Sequence, residues 1–231
     1  MIKIENLTVK YEDGTTPLKD VSFSAAAGER IAILGDNGAG KTSLFMAMVG
    51  ILKAETGTIK ITDVPVDKEN LLTIRRRVGL VFQNPDDQLF MPNIYDDIAF
   101  GPRNYGHSEE EVNEKVTAVL EELEISHLKD RSSLKLSGGE KRIATIAAVL
   151  VMRPKVLLFD EPTAFLDNKS KKRFAEILET LPQTRILATH DLELAKKTSD
   201  RIIIMDKGRI IYDGPTCKLD DENPQQDTGY R

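Results

Sequence analysis

The stretch that most restricts the fold is Arg30-Ile31-Ala32-Ile33-Leu34 followed by Gly35-Asp36-Asn37-Gly38-Ala39-Gly40-Lys41-Thr42-Ser43. Four apolar residues in succession after Arg30 read as a buried strand, and the run from Lys41 to about Ile51 reads as a helix. Between them lies the pattern G-x-x-x-x-G-K-[ST], in the strand-to-helix context that it requires. Its glycines let backbone N–H groups curl around an oxyanion, and the helix N-terminus adds positive potential. Lys41 is placed to reach the β and γ phosphates of a nucleotide, and Thr42 to ligate Mg²⁺. The dinucleotide fingerprint G-x-G-x-x-G needs its glycines in another order than 35, 38 and 40.

Other short apolar runs fit a sheet around that unit. Val156-Leu157-Leu158-Phe159 and Ile186-Leu187-Ala188-Thr189 are unbroken strands with a helical segment between them, as in a buried, largely parallel sheet. The first ends in Asp160-Glu161, so that Asp160 can enter a Mg²⁺ shell and Glu161 can polarise water. Ile2, Ile4, Leu7 and Val9, then Val21-Ser22-Phe23 after a turn at Asp13-Gly14, predict antiparallel β structure at the start. Residues 57–62 and 78–82 read as further strands. Gln83 to Tyr105 reads as loop-rich, broken by Pro85, Pro92 and Pro102. From Ser108 the pattern is helical: Ser108 and Glu111 form a capping box, and Val112, Val116, Val119, Leu120 and Leu123 share a face. A hairpin around Lys207-Gly208 closes the domain, and a polar tail begins near Thr216. The expected class is α/β, with a mixed, largely parallel core sheet, an N-terminal antiparallel β subdomain and an inserted helical subdomain.

Composition excludes several alternatives. A net charge of −5, with basic residues scattered along the chain, gives no footprint for nucleic acid. One cysteine, Cys217, cannot form an internal disulfide, and no Cys/His cluster has metal-ligand spacing. The longest apolar stretch, Ile143 to Met152, is shorter than the ~20 residues of a membrane span. The start, Met1-Ile2-Lys3-Ile4-Glu5, alternates like a strand and lacks the apolar run of a signal peptide. A reducing cytoplasm is the expected compartment, with any membrane role exercised through a partner.

Leu136-Ser137-Gly138-Gly139-Glu140 stands before an apolar helical run, downstream of the phosphate loop and upstream of Asp160-Glu161. That set, in that order, closely resembles the ABC (ATP-binding cassette) ATPases over about residues 2–215. The resemblance implies a nucleotide-binding core over 2–83 and 154–215, a helical subdomain over 84–153, and a separate tail over 216–231. It also implies roles for residues that would be unremarkable alone. Gln83 would sense Mg²⁺, the attacking water and the membrane partner; Asp167, in Ala164-Phe165-Leu166-Asp167, would face an opposite subunit; His190 would contact the γ-phosphate; and Tyr11 would stack on adenine. Two such chains would sandwich two Mg-ATP, each between Lys41 and its neighbours on one chain and Ser137, Gly138 and Gly139 on the other. Phe165, where the family more often has a small residue, and Glu140, where glutamine is common, depart from the pattern. Phe82-Gln83-Asn84-Pro85-Asp86-Asp87-Gln88-Leu89-Phe90 further resembles the ATPases of cobalt, nickel and vitamin importers of the energy-coupling-factor (ECF) type. The resemblance thus implies a peripheral subunit on the cytoplasmic face of the membrane, paired with a second ATPase subunit and with integral membrane subunits that meet Asp86 and Asp87 together with an exposed Leu89 and an exposed Phe90. A non-transport ABC ATPase acting as an ATP-gated clamp is the alternative.

Overall fold

A computed structural model describes residues 1–218 of the chain. β1 (Ile2–Val9) buries Ile2, Ile4, Leu7 and Val9, the four apolar positions of the alternating start. It pairs antiparallel with β2 (Leu18–Ala25) on one side and β4 (Ala54–Ile61) on the other, with irregular register after Ile4 and Glu5. The two-residue β5 (Val64–Pro65) completes a four-stranded sheet in the order β2-β1-β4-β5.

The second sheet carries the chemistry. Its order is β10-β9-β3-β8-β7-β6, built from β3 (Arg30–Leu34), β6 (Val78–Val81), β7 (Val156–Asp160), β8 (Thr184–Thr189), β9 (Arg201–Asp206) and β10 (Arg209–Pro215). β8 lies parallel between β3 and β7, with Leu34 opposite Thr189 and Asp160 opposite Ala188. Those three strands therefore end at one edge of the sheet, where crevices for ligands form in parallel α/β sheets. β9 is parallel to β3, and β10 returns antiparallel to it.

α1 (Lys41–Met48) is buried through Leu44, Phe45, Ala47 and Met48, on nearly every side. It joins a core with Ile31, Ile33, Leu158, Ile186 and Ile203. Emptying the fully buried Phe45 site to Ala would cost about 3–5 kcal/mol. The helix stops before Ile51 because Gly50 takes φ +69 and the N–H groups of Ile51 and Leu52 turn back to Met46 O.

By backbone contacts the chain divides into two compact units, 1–80 with 155–161 and 182 onward, and 81–154 with 162–181. The second unit is helical: α3 (Ile94–Asn104), α4 (Glu109–Glu122), α5 (Gly138–Leu150) and α6 (Asn168–Thr180), with α3 against α4 and α5, and α5 against α6. The sequence reading placed 162–181 with the core. Here α6 packs on α5 instead, and Arg173 donates to Leu123 O at 3.2 Å. α3 corrects the expectation of loop through Tyr105. Asn93 caps it by accepting from the Asp96 N–H at 2.9 Å, and Pro102 falls in its last turn, where the break it causes costs little. α2 (Leu71–Arg77) and α7 (Leu192–Thr198), in the first unit, are short and were not distinguished by periodicity. The capping box of α4 is present, with both Ser108–Glu111 hydrogen bonds made. Of the tail, Thr216–Lys218 form a 3₁₀ turn fixed by Thr216 to Asp200 O and Ser199 O, and 219–231 lie outside the described residues. Among the described residues no helix is long and apolar enough to cross a membrane.

Candidate nucleotide site

The first unit gathers the phosphate loop, the strand-end acids and the histidine. The loop leaves β3 at Gly35, where a Cβ would stand 2.5 Å from Met205 O and 2.9 Å from the Ala39 side chain. At Gly40, φ is +106 and a Cβ would meet Pro17 O at 2.5 Å. Both glycines are thus required by backbone at close quarters, whereas Gly38, at φ +86, faces open space. Gly208 at the β9–β10 turn donates its N–H to Ala39 O at 3.0 Å, which supports the loop from the side. Asp36 and Asn37 are exposed on its outer rim. Gly40 ends the loop and α1 begins, so the N–H groups of Lys41, Thr42 and Ser43 head the helix without intrahelical partners.

Lys41 is 6% exposed, and its ammonium reaches Gly35 O at 2.5 Å, Asp36 O at 3.2 Å and Glu161 Oε1 at 3.1 Å. Thr42 Oγ1 donates to Asp160 Oδ2 at 2.7 Å. Asp160 Oδ1 is buried without a partner. Burial pushes the Asp160 carboxyl above the usual carboxylate range, against the opposing hydrogen bond from Thr42, and the neighbouring Glu161 charge adds to the rise. Glu161 sits just past the end of β7 at φ +42, a strained setting for a non-glycine residue, with its N–H on Ala188 O at 2.9 Å. Its Oε2 lies 2.8 Å from His190 Nδ1 and accepts from the His190 N–H at 3.3 Å. The carboxylate therefore bridges the loop lysine and the histidine that follows β8. Tyr11, two residues past β1, is exposed and shares a 2.7 Å hydrogen bond with Ser43 Oγ, which ties its ring to the first turn of α1.

Gln83, Ser137, Gly138, Gly139 and Asp167 belong to the second unit. Ser137 caps α5: its Oγ accepts from the Glu140 N–H at 3.3 Å, and Glu140 Oε2 accepts from Ser137 N at 2.8 Å and Ser137 Oγ at 2.7 Å. Glu140, a departure on sequence, is thus the second half of a capping box, and those hydrogen bonds hold its carboxyl below the usual range. The S-x-x-E spacing was visible in the chain and carries this signal. At Gly139 a Cβ would lie 2.3 Å from Ser170 Oγ and 3.0 Å from its Cβ, so the serine hydroxyl would have to turn away; Gly138 has ordinary room, with Leu166 at 3.8 Å. Asp167 caps α6 through Ser170 N at 2.7 Å, and beside it Phe165 is 98% exposed at φ +64.

Gln83 is exposed, and its carbonyl accepts from Arg142, a buried residue that sequence reasoning did not single out. It shares a face of α5 with Thr145 and Ile146, three and four residues on, but nothing in the chain alone marks that cation for burial. Leu89, expected on an exposed surface with Phe90, is 4% exposed because the 3₁₀ turn Pro85–Asp87 folds it inward. Phe90 is 61% exposed and meets Phe100 edge-on at 5.0 Å, while Asp86 pairs with Lys141 at 2.5 Å.

The family model described as ABC transporter matches residues 18–164. An energy-coupling factor transporter ATP-binding protein of Methanothermobacter thermautotrophicus is 41% identical over 224 residues, covering 95% of this chain and 72% of that protein. The solved structure of cbiO1 from Clostridium perfringens, described as part of the ABC transporter complex cbiONQ, superposes with a TM-score of 0.85 at 37% identity, covering 99% of this chain and 95% of that one. A second, an ATP-binding cassette solved as a dimer in a post-hydrolysis state with ADP and Pi, gives a TM-score of 0.83 at 26% identity over 94% of this chain and 99% of its own. With the phosphate loop, its lysine and the two strand-end acids assembled at one sheet edge, these likenesses establish that the chain belongs to the ABC transporter family, as an ATP-binding subunit that hydrolyses ATP.

Proposed function

We propose that this ATPase is the motor of an ECF-type importer of a metal ion or vitamin, and that it works as a dimer closing on two Mg-ATP at the cytoplasmic face of a membrane. The observation that carries the hydrolytic part is the Lys41–Glu161–His190 chain, its lysine and carboxylate buried and its histidine exposed, beside the Thr42–Asp160 pair.

The residues fit Mg²⁺. A hydroxyl and a carboxylate are hard oxygen donors, and the partnerless Asp160 Oδ1 is an acceptor in need of a cation. Two protein ligands suit an ion that keeps phosphate and water oxygens around it, and when bound it neutralises charge on the transferring phosphoryl group. In this reading Lys41 and the head of α1 hold the phosphates, and Glu161 accepts a proton from the attacking water. His190 keeps Glu161 oriented through Nδ1. Tyr11 offers a ring for adenine, its hydroxyl anchored on Ser43. Gln83 reports on the ion and the water. Ser137, Gly138 and Gly139, with Asp167, serve the opposite subunit's nucleotide.

Support for the dimer comes from the dimeric cassette with ADP and Pi. Support for the importer comes from the relative named for an energy-coupling factor transporter and the neighbour named for the cbiONQ complex. On this chain, Phe90 and Phe100 offer an exposed aromatic edge for a partner's apolar side chains, with Asp87 exposed nearby in sequence. The test is purification from membranes. The importer reading requires integral membrane subunits to co-purify and to restore ATP-dependent uptake in vesicles; a chain that is recovered without any membrane subunit supports the clamp instead.

A further inference from the structure

The segment after β6 is fastened to the helix that Ser137 caps. Arg142 is 1% exposed and points its guanidinium at two successive carbonyls, Nη1 donating to Phe82 O at 2.6 Å and Nη2 to Gln83 O at 2.5 Å. Its Nε is buried without a partner, and burial pulls its pKa down to about 10, which leaves it a cation at neutral pH. The same segment is held twice more. Gln88 Nε2 donates to Thr145 O, and its Oε1 accepts from Phe82 N, both at 3.2 Å. Lys141 pairs with Asp86. Residues 141, 142 and 145 of α5 thus grip residues 82, 83, 86 and 88.

Packing alone does not call for a buried cation here, since an apolar side chain of similar volume would fill the space without the desolvation cost. What the guanidinium adds is geometry: its planar, rigid fork sets the spacing and direction of two carbonyls from two separate nitrogens, whereas an ammonium would draw both toward one freely rotating centre. We propose that Arg142 is a positioning residue for ATP hydrolysis, locking the main chain at Gln83 to the signature helix so that the Gln83 side chain is held in its working place. This rests on the reading of Gln83 given above. A displacement of about 1 Å at a positioned group costs on the order of 10²-fold in rate.

The test is a cycle of ATPase measurements on the full chain with Mg-ATP, held below the lowest melting midpoint of the set, using Arg142→Met, Arg142→Lys, Gln83→Ala and the double variants. Each single variant is expected to lose about 10- to 100-fold in kcat with KM for ATP nearly unchanged, and each double variant to be no slower than Gln83→Ala. If Arg142→Met does not fold, Arg142→Lys, which keeps the charge but not the fork, carries the cycle. Melting points that fall while kcat stays at the wild-type value would reduce Arg142 to a structural residue and overturn the inference, as would losses that multiply in the double variants. A wild-type kcat for Gln83→Ala overturns the reading of Gln83 together with this inference, whereas multiplied losses overturn this inference alone.

Discussion

Replacing Glu161 by glutamine separates holding ATP from hydrolysing it. The carboxylate has two jobs in the structure: Oε1 faces Lys41 at 3.1 Å, and Oε2 takes His190 Nδ1 at 2.8 Å and the His190 N–H at 3.3 Å. An amide cannot do both. With its oxygen toward Lys41, its NH₂ group opposes the His190 N–H; with its oxygen toward His190, the NH₂ group opposes the ammonium. Leaving a buried lysine without its carboxylate costs about 3–5 kcal/mol in general. Lys41 keeps the carbonyls of Gly35 and Asp36, so the loss belongs near the low end, about 3 kcal/mol. Those same carbonyls keep Lys41 in the loop, and ATP affinity should change little. Turnover loses its proton acceptor, about 10²- to 10⁴-fold, or about 2.7–5.4 kcal/mol of barrier. Phosphate release under saturating Mg-ATP measures the turnover, equilibrium nucleotide binding measures the affinity, and sizing chromatography should find an ATP-dependent dimer that no longer reopens. Turnover within a few-fold of wild type, at intact ATP binding, would remove Glu161 from the mechanism.

Composite sites predict complementation: Ser137→Arg and Lys41→Ala chains should each be inactive alone and regain activity when mixed, and mixed dimers without activity would refute the arrangement. Asp97 accepts the N–H groups of Phe90 and Met91 at 2.8 and 2.9 Å, so Asp97→Ala should cost about 2–5 kcal/mol by stranding two donors, read by urea unfolding, with Asp97→Asn milder because it keeps an acceptor. Burial raises the Asp97 carboxyl above its unfolded value, so the folded state holds the proton more tightly. Wild type should therefore gain stability relative to Asp97→Asn as pH falls through the window from the raised folded pKa to about 3.9; a pH-independent difference would count against the shift. Asp87→Lys with Phe90→Ala should abolish capture of membrane subunits while leaving the isolated chain's ATPase intact, and parallel loss of ATP binding would show that this edge is not a docking surface.

The sequence by itself determined the strand–loop–helix at 30–48, the buried strands that carry Asp160 and His190, and the box at Ser108, because each rests on interactions within a few residues. Glycines at positive φ, an alternating pattern and a side-chain cap are local, and nothing distant competes with them. It was misleading where burial decides. The prolines at 85, 92 and 102 suggested loop up to Tyr105, yet α3 forms there because its Ile94, Ile98 and Ala99 are buried and Asn93 caps its start. Leu89 and Phe90 are both apolar and adjacent, and only the fold turns one inward and the other out. The parallel register of β3, β8 and β7 sets Gly35, His190 and Glu161 at one edge, although they are far apart along the chain. Arg142 shows the same division most clearly: a basic residue beside Lys141 reads as a solvated surface charge, and only the tertiary structure, by bringing the Phe82 and Gln83 carbonyls over α5, supplies the partners that let a cation be buried.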